Sequence, residues 1–350
     1  MALLQSFIND TQNRPSLAVF QSTVAQTAVP LLRQYLANSQ VGKGKPRHRV
    51  LFSLLYLPSN LIENSGVDVE VHDWLDNVPG YSTDYFNPGL QLLSTLDQTL
   101  NTTSSSVDVV IDSIDSLLSD VGSLSEAYKY LRDAHAKIAA RPGSTLVLHG
   151  TRVDLVSLVT QASFTPSLVH IKAHPTVILD HLAVEYLTPP PPISPPNKFW
   201  GVFLPLSQRQ KDVNDLVFGS KGEGSGDATE IVVEILVRGV SGRKRNVERE
   251  LEAWSLSLGP CEWSDLEALR SIWSKQTPAE APAGADPTQN VSFNLSLTTA
   301  QHEARSKVPL PYAHEGQPVE KPVDTTGTIF YDPDSADDID DDDPDEDLDI

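Results

Sequence analysis

The chain has 350 residues, 39% of them hydrophobic, a formal net charge of -21 and one cysteine, Cys261; that length can bury one large core, and a lone thiol excludes an intramolecular disulfide framework and a cysteine-based zinc site. The charge is uneven: twelve acidic and no basic side chains fall between Tyr331 and Ile350, which leaves -9 for residues 1–330. The N-terminus carries no basic n-region and no window approaches the roughly 18 apolar residues of a membrane span, so neither secretion nor a membrane partner is expected.

In chain order, the first apolar run is 17–21, followed by a helical stretch from about Thr23 through Val29, Leu32, Tyr35 and Leu36. Residues 50–57 are nearly all apolar and end at Pro58, the pattern of a strand covered on both faces. Asn87 and Pro88 supply a helix cap and a proline at the first helical position, with Leu90, Leu92, Leu93, Leu96 and Leu100 behind them. A strand over 107–112 leads to Ser123, whose capping box with Glu126 opens a helix carrying Leu124, Ala127, Tyr128, Leu131, Ala134 and Ile138 on one face. Gly143 closes that helix and 145–149 is the next strand. Strands alternating with helices predict crossover connections and a mostly parallel sheet.

After about residue 165 the pattern predicts strands in succession, at 168–172, 176–187, 199–206, 230–238 and 251–258, as an antiparallel extension of the same sheet. The proline run 189–196 and the glycine-rich stretch 219–227 are connectors. A short helix near 264–273 ends a single α/β domain over 1–275; residues 276–287 form an Ala/Pro/Gly-rich linker, 288–330 an extended segment with short motifs and 331–350 a disordered acidic tail.

An active RecA-type ATPase needs a glycine-rich loop with a lysine between its first strand and the next helix, and a later strand ending in a metal-organising aspartate. Here residues 22–31 contain no glycine and no lysine, no Gly-Lys-Ser/Thr occurs anywhere, and the stretches around Lys43 and 219–227 feed strands instead of helices. Asp112 and Asp115 are then expected as helix N-caps, with an atypical nucleotide site at Asp112 as the alternative. His170, His174 and His181, four or more positions apart on predicted strands about 13 Å apart per four residues, do not converge on a metal. No G-x-S-x-G elbow is present and Cys261 has no basic neighbour, so no catalytic residue, cofactor or metal site is expected.

Two basic clusters stand out, Lys43 to Arg49 and Arg238 to Arg249. Each alone suits a solvated loop; the second, with Arg243, Lys244 and Arg245, bridges two predicted strands and is the better candidate for contact with RNA phosphates.

The end of the chain is the most distinctive part. Thr288-Gln-Asn-Val-Ser-Phe-Asn-Leu-Ser-Leu-Thr298, then Arg305-Ser-Lys-Val-Pro-Leu-Pro-Tyr312, then Tyr331-Asp-Pro-Asp334 with its acidic run and a terminal Asp347-Leu-Asp-Ile350, resembles the C-terminal signature of the Elongator complex protein 5 family. Pro30 to Tyr35, Val109 to Asp112 and Glu252 to Trp254 resemble that family in the body of the chain. The resemblance implies a RecA-like fold with no phosphate-binding loop and no catalysis of its own. It further implies a heterohexameric ring with Elongator subunits four and six, beside the catalytic Elongator subcomplex, that binds transfer RNA and supports wobble uridine modification in the cytoplasm and nucleus. Val291, Phe293, Leu295 and Leu297 alternate strictly, as in an extended strand laid on a neighbouring subunit or on the chain's own sheet. A different reading makes the chain an acidic-tailed adaptor whose residues 331–350 recruit a basic partner.

Overall fold

The computed structural model describes residues 3–9, 14–38, 47–62, 69–80, 87–220, 229–239 and 247–274, all within the first of two compact units, Met1–Ala279. The elements run α1 (Leu3–Asn9), β1 (Leu17–Gln21), α2 (Val29–Ala37), β2 (His48–Ser53), α3 (Pro58–Leu61), β3 (Val69–Asp73), α4 (Pro88–Thr102), β4 (Val107–Ile111), α5 (Ile114–Val121), α6 (Leu124–Ala139), β5 (Thr145–Gly150) and α7 (Val153–Val159). They continue with β6 (Leu168–His174), α8 (Val177–Glu185), α9 (Pro196–Gln208), α10 (Gln210–Phe218), β7 (Glu230–Arg238), β8 (Val247–Ser255), β9 (Gly259–Cys261), a 3-10 turn at Trp263–Asp265 and α11 (Arg270–Ser274).

The nine strands form one sheet in the order β3-β2-β4-β5-β1-β6-β7-β8-β9. Strands β1 to β6 run parallel with their neighbours, Leu17 opposite both Leu146 and Leu168, whereas β6–β7, β7–β8 and β8–β9 are antiparallel. This is the expected α/β sheet with an antiparallel extension. β1, β4 and β5 are apolar almost throughout because helices cover both faces, so each residue finds a hydrophobic partner whichever way it points. Leu17, Val19, Val109, Ile111, Leu146 and Leu148 face one way with α4 to α7. Ala18, Phe20, Val110 and Val147 face the other, with α1 and α2.

The caps follow the sequence. The Asn87 side chain accepts the Leu90 N–H at 3.0 Å and Ser123 that of Glu126 at 3.4 Å. Helix α2 starts at Val29 rather than near Thr23, with Pro30 in its first turn, where a missing N–H costs nothing.

Two expected strands are helices. Residues 176–187 contain α8, whose Ile178, Leu179 and Leu182 bury at helical spacing. Residues 199–206 lie inside α9, where Phe199, Phe203 and Leu206 recur every three or four positions in a core shared with Val232 and Ala253. Both segments are apolar on nearly every side, and a short run of that kind fits a buried strand as well as a buried helix. Beyond α8 the chain turns through Leu187 at φ 49°, the left-handed region that favours glycine, while the Thr188 N–H reaches the Leu182 carbonyl at 3.0 Å. His181 therefore sits on a helix, and among the described residues no group of His, Cys, Asp or Glu has the arrangement of a metal site.

Candidate functional site

In a parallel sheet, ligands are bound beyond the carboxyl ends of the strands. At that end β1 gives way to Ser22 and Thr23 and β4 to Asp112, while β5 ends in His149 and Gly150. The loop between β1 and α2, where a phosphate-binding loop would lie, is tied down by the chain itself. The His149 Nδ1–H donates to the Asp112 backbone carbonyl at 2.6 Å, which leaves Nε2 as the acceptor for the Ser22 hydroxyl at 2.7 Å. Ser22 Oγ in turn accepts the Ala28 N–H at 2.8 Å, and the Ser22 N–H donates to the Gly150 carbonyl at 3.0 Å. Gly150 is required there, because a Cβ would stand 2.6 Å from Ile114.

Ser22 and His149 have the hydrogen bond of a nucleophile and its base, but they are 5% and 1% exposed and the hydroxyl oxygen already holds an amide. Burial pushes the His149 imidazole down, against the pull of its bond to the Asp112 carbonyl and of Asp115, so it is a neutral acceptor.

Asp112 is not a helix cap: Ser113 caps α5, accepting the Ser116 N–H. The buried Asp112 carboxylate accepts three backbone N–H groups from the loop after β2, Leu54 at 2.7 Å, Leu55 at 3.0 Å and Tyr56 at 2.8 Å. Burial raises its pKa and those three bonds oppose the rise. Asp115 does the same for the loop after β5, accepting from Thr151 at 2.6 Å and Arg152 at 3.2 Å. The loops so fixed leave Val24, Leu55, Leu57 and Val153 each at least 49% exposed at the carboxyl end.

One strand further along, a cavity of about 400 Å³ opens, lined by Gln21 and Thr23, by His170 and Lys172 of β6, by Ser207 and Gln208 at the end of α9 and Gln210 at the start of α10, by Glu234 and Leu236 of β7 and by Arg249 of β8. Glu234 is bonded by His174 Nε2 at 2.9 Å and approached by Arg249 Nε at 3.5 Å. Burial would raise this carboxyl, but the His174 bond and the neighbouring cations pull it down to about 2. His170, bonded to Gln21 Oε1 at 2.9 Å, is pushed down by burial to about 4, with Glu234 opposing. Burial lowers the Lys172 ammonium too.

Of the first basic cluster, the described members turn inward: Arg47 pairs with Asp108, His48 with Glu70 at 2.6 Å, and Arg49 donates to the Leu36 carbonyl at 2.7 Å. Arg243, Lys244 and Arg245, and likewise Val291, Phe293, Leu295 and Leu297, lie outside the described residues. The Ser22–His149 tie had no sequence motif, since the two positions are 127 residues apart. Among the described residues no helix is long and apolar enough to cross a membrane.

A family model described as Elongator subunit Iki1 matches residues 3–332. Elongator complex protein 5 of Mus musculus is 37% identical over 106 residues, 28% of this chain and 35% of that protein. Its Homo sapiens counterpart is 41% identical over 91 residues, 25% and 30%, and that of Danio rerio 39% over 71 residues, 19% and 24%. The aligned part of the chain thus spans about a third of the length of these relatives, or less.

Proposed function

We propose that this chain, which belongs to the Elongator subunit Iki1 family, is a structural subunit of the Elongator complex with no catalysis of its own. In this reading it joins subunits four and six in a RecA-like heterohexameric ring, beside the catalytic subcomplex, that binds transfer RNA and supports wobble uridine modification in the cytoplasm and nucleus. The observation that carries the reading is the filled phosphate-loop position: Ser22, His149 and the Ala28 amide satisfy one another where phosphate oxygens would otherwise be held. Asp112, the aspartate of the alternative nucleotide reading, spends its carboxylate on three loop amides, which weighs against that alternative. The exposed Leu55 and Leu57 suit a surface that meets a neighbour.

The test is a mass measurement of the chain co-expressed with subunits four and six. One assembly containing all three is expected, and Leu55→Glu with Leu57→Glu should loosen it; a folded monomer that ignores both partners overturns the reading. Residues 276–287 are assigned as linker and 288–330 as the segment whose Val291, Phe293, Leu295 and Leu297 lie on a neighbour. Neutralising Arg243, Lys244 and Arg245 should weaken transfer RNA binding by the ring and make its salt dependence shallower; equal salt slopes remove that assignment. Deleting 331–350 separates the adaptor reading, since a subunit held by its folded surfaces assembles without the tail.

A further inference from the structure

Alternation places Leu17, Val19 and Gln21 of β1 on the same sheet face as Leu168, His170, Lys172 and His174 of β6. The register sets Gln21 beside Lys172 and Lys172 beside Glu234, and His170 beside Leu236, which lies beside Arg249. On this face Leu17, Val19 and Leu168 pack with α4 to α7, while Val232 and Ala253 pack with α8 to α11. Between the two helical groups the floor turns polar and the cavity of about 400 Å³ lies above it. A charged floor under a cavity is costly unless something occupies it.

The charges in the cavity do not cancel. Glu234 is committed to His174 and Arg249. Lys172, half-buried, has no carboxylate within ion-pair distance among the described residues, and its hydrogen bond is a long one, 3.3 Å to the Ser207 carbonyl. Two cations thus face one carboxylate, with His170 neutral.

We propose that this cavity binds a small phosphate monoester through Lys172 and Arg249. The donors approach from separate elements: the Lys172 ammonium from β6, the Arg249 guanidinium from β8, the Gln21 amide NH2 from β1, its carbonyl oxygen being engaged by His170, and Gln208 and Gln210 from the opposite wall. Donors converging from several sides match the three terminal oxygens of a phosphate, whereas a carboxylate presents two oxygens in one plane. Val153, Leu204 and Leu236 supply an apolar wall for the organic part, and the volume falls in the range of small-ligand sites.

The full chain is titrated calorimetrically, and its thermal unfolding followed, with ribose 5-phosphate, inorganic phosphate, and ribose and chloride at matched ionic strength as controls. Binding and a raised Tm with both phosphates, and neither effect with the controls, are expected. Lys172→Met should weaken ribose 5-phosphate binding about tenfold or more while leaving the unliganded protein at least as stable as the parent, because it removes a desolvated cation without a paired carboxylate. Arg249→Met, on the exposed stretch of β8, should weaken binding with the fold intact. Absence of phosphate binding by the parent, equal stabilisation by chloride, or unchanged binding by both variants overturns the proposal.

Discussion

Two polar clusters lie one strand apart at the same end of the sheet, and they differ in how their hydrogen bonds close. Around Ser22, His149 and Asp112, oxygens and nitrogens meet backbone groups or each other at 2.6 to 3.0 Å. In the neighbouring cluster Glu234 keeps a 2.9 Å bond from His174, but the contacts of Lys172 and Arg249 lengthen to 3.3 and 3.5 Å and charges line an open space. The first cluster has the residue types of catalysis and the closure of a scaffold; the second has no motif and the openness of a site. Residue type alone therefore does not separate chemistry from architecture, whereas hydrogen-bond satisfaction does.

The closed cluster is the one that should break hardest. Asp112→Ala orphans three loop amides and should cost about 3 kcal/mol of unfolding free energy by denaturant titration; a loss under about 1 kcal/mol would mean the loop stands without it. Ser22→Ala leaves the His149 Nε2 and the Ala28 N–H without their partner and should cost about 2 kcal/mol in the same assay. Acid should act on both clusters, since burial depresses His149 as well as His170. His170 titrates near 6.5 when unfolded and near 4 when folded, so the stability it contributes is whole above pH 6.5 and declines as pH falls toward 4. Glu234, displaced downward to about 2, adds a loss below its ordinary value of 4.5. His170→Gln should flatten the upper part of the stability–pH curve by about 1.5 kcal/mol; an unchanged slope there removes His170 as its source. The smallest effect gauges the rest from outside both clusters: Leu187→Gly relieves a left-handed leucine and should raise stability by about 0.5 kcal/mol, visible as a slightly higher Tm.

Much of this architecture was legible in the residues. Continuous apolar runs gave β1, β4 and β5, and the Asn87 and Ser123 caps located two helices. The short α5 has a weak signal of its own because its Ile114, Leu117 and Leu118 sit between a strand and a stronger helix. In α9 the spacing of Phe199, Phe203 and Leu206 held the helical signal, obscured by the apolar residues around it. Absence of glycine in residues 22–31 was legible, but what takes the place of phosphate was not: Ser22 follows β1, Asp112 follows β4 and His149 lies near the end of β5, and only the sheet order brings them together. The same holds for Lys172 and Arg249, whose alternation suggests a solvated strand until the helices part above them.

The Asp112 anchor bears on association as well as on folding. A loop whose three consecutive amides are already held has little backbone freedom to surrender, so a surface that settles on Leu55 and Leu57 meets side chains at fixed positions and loses little conformational entropy there. Contact at that edge should behave as rigid-body docking, with a heat-capacity change set by the apolar area covered and no added contribution from a segment ordering as it binds.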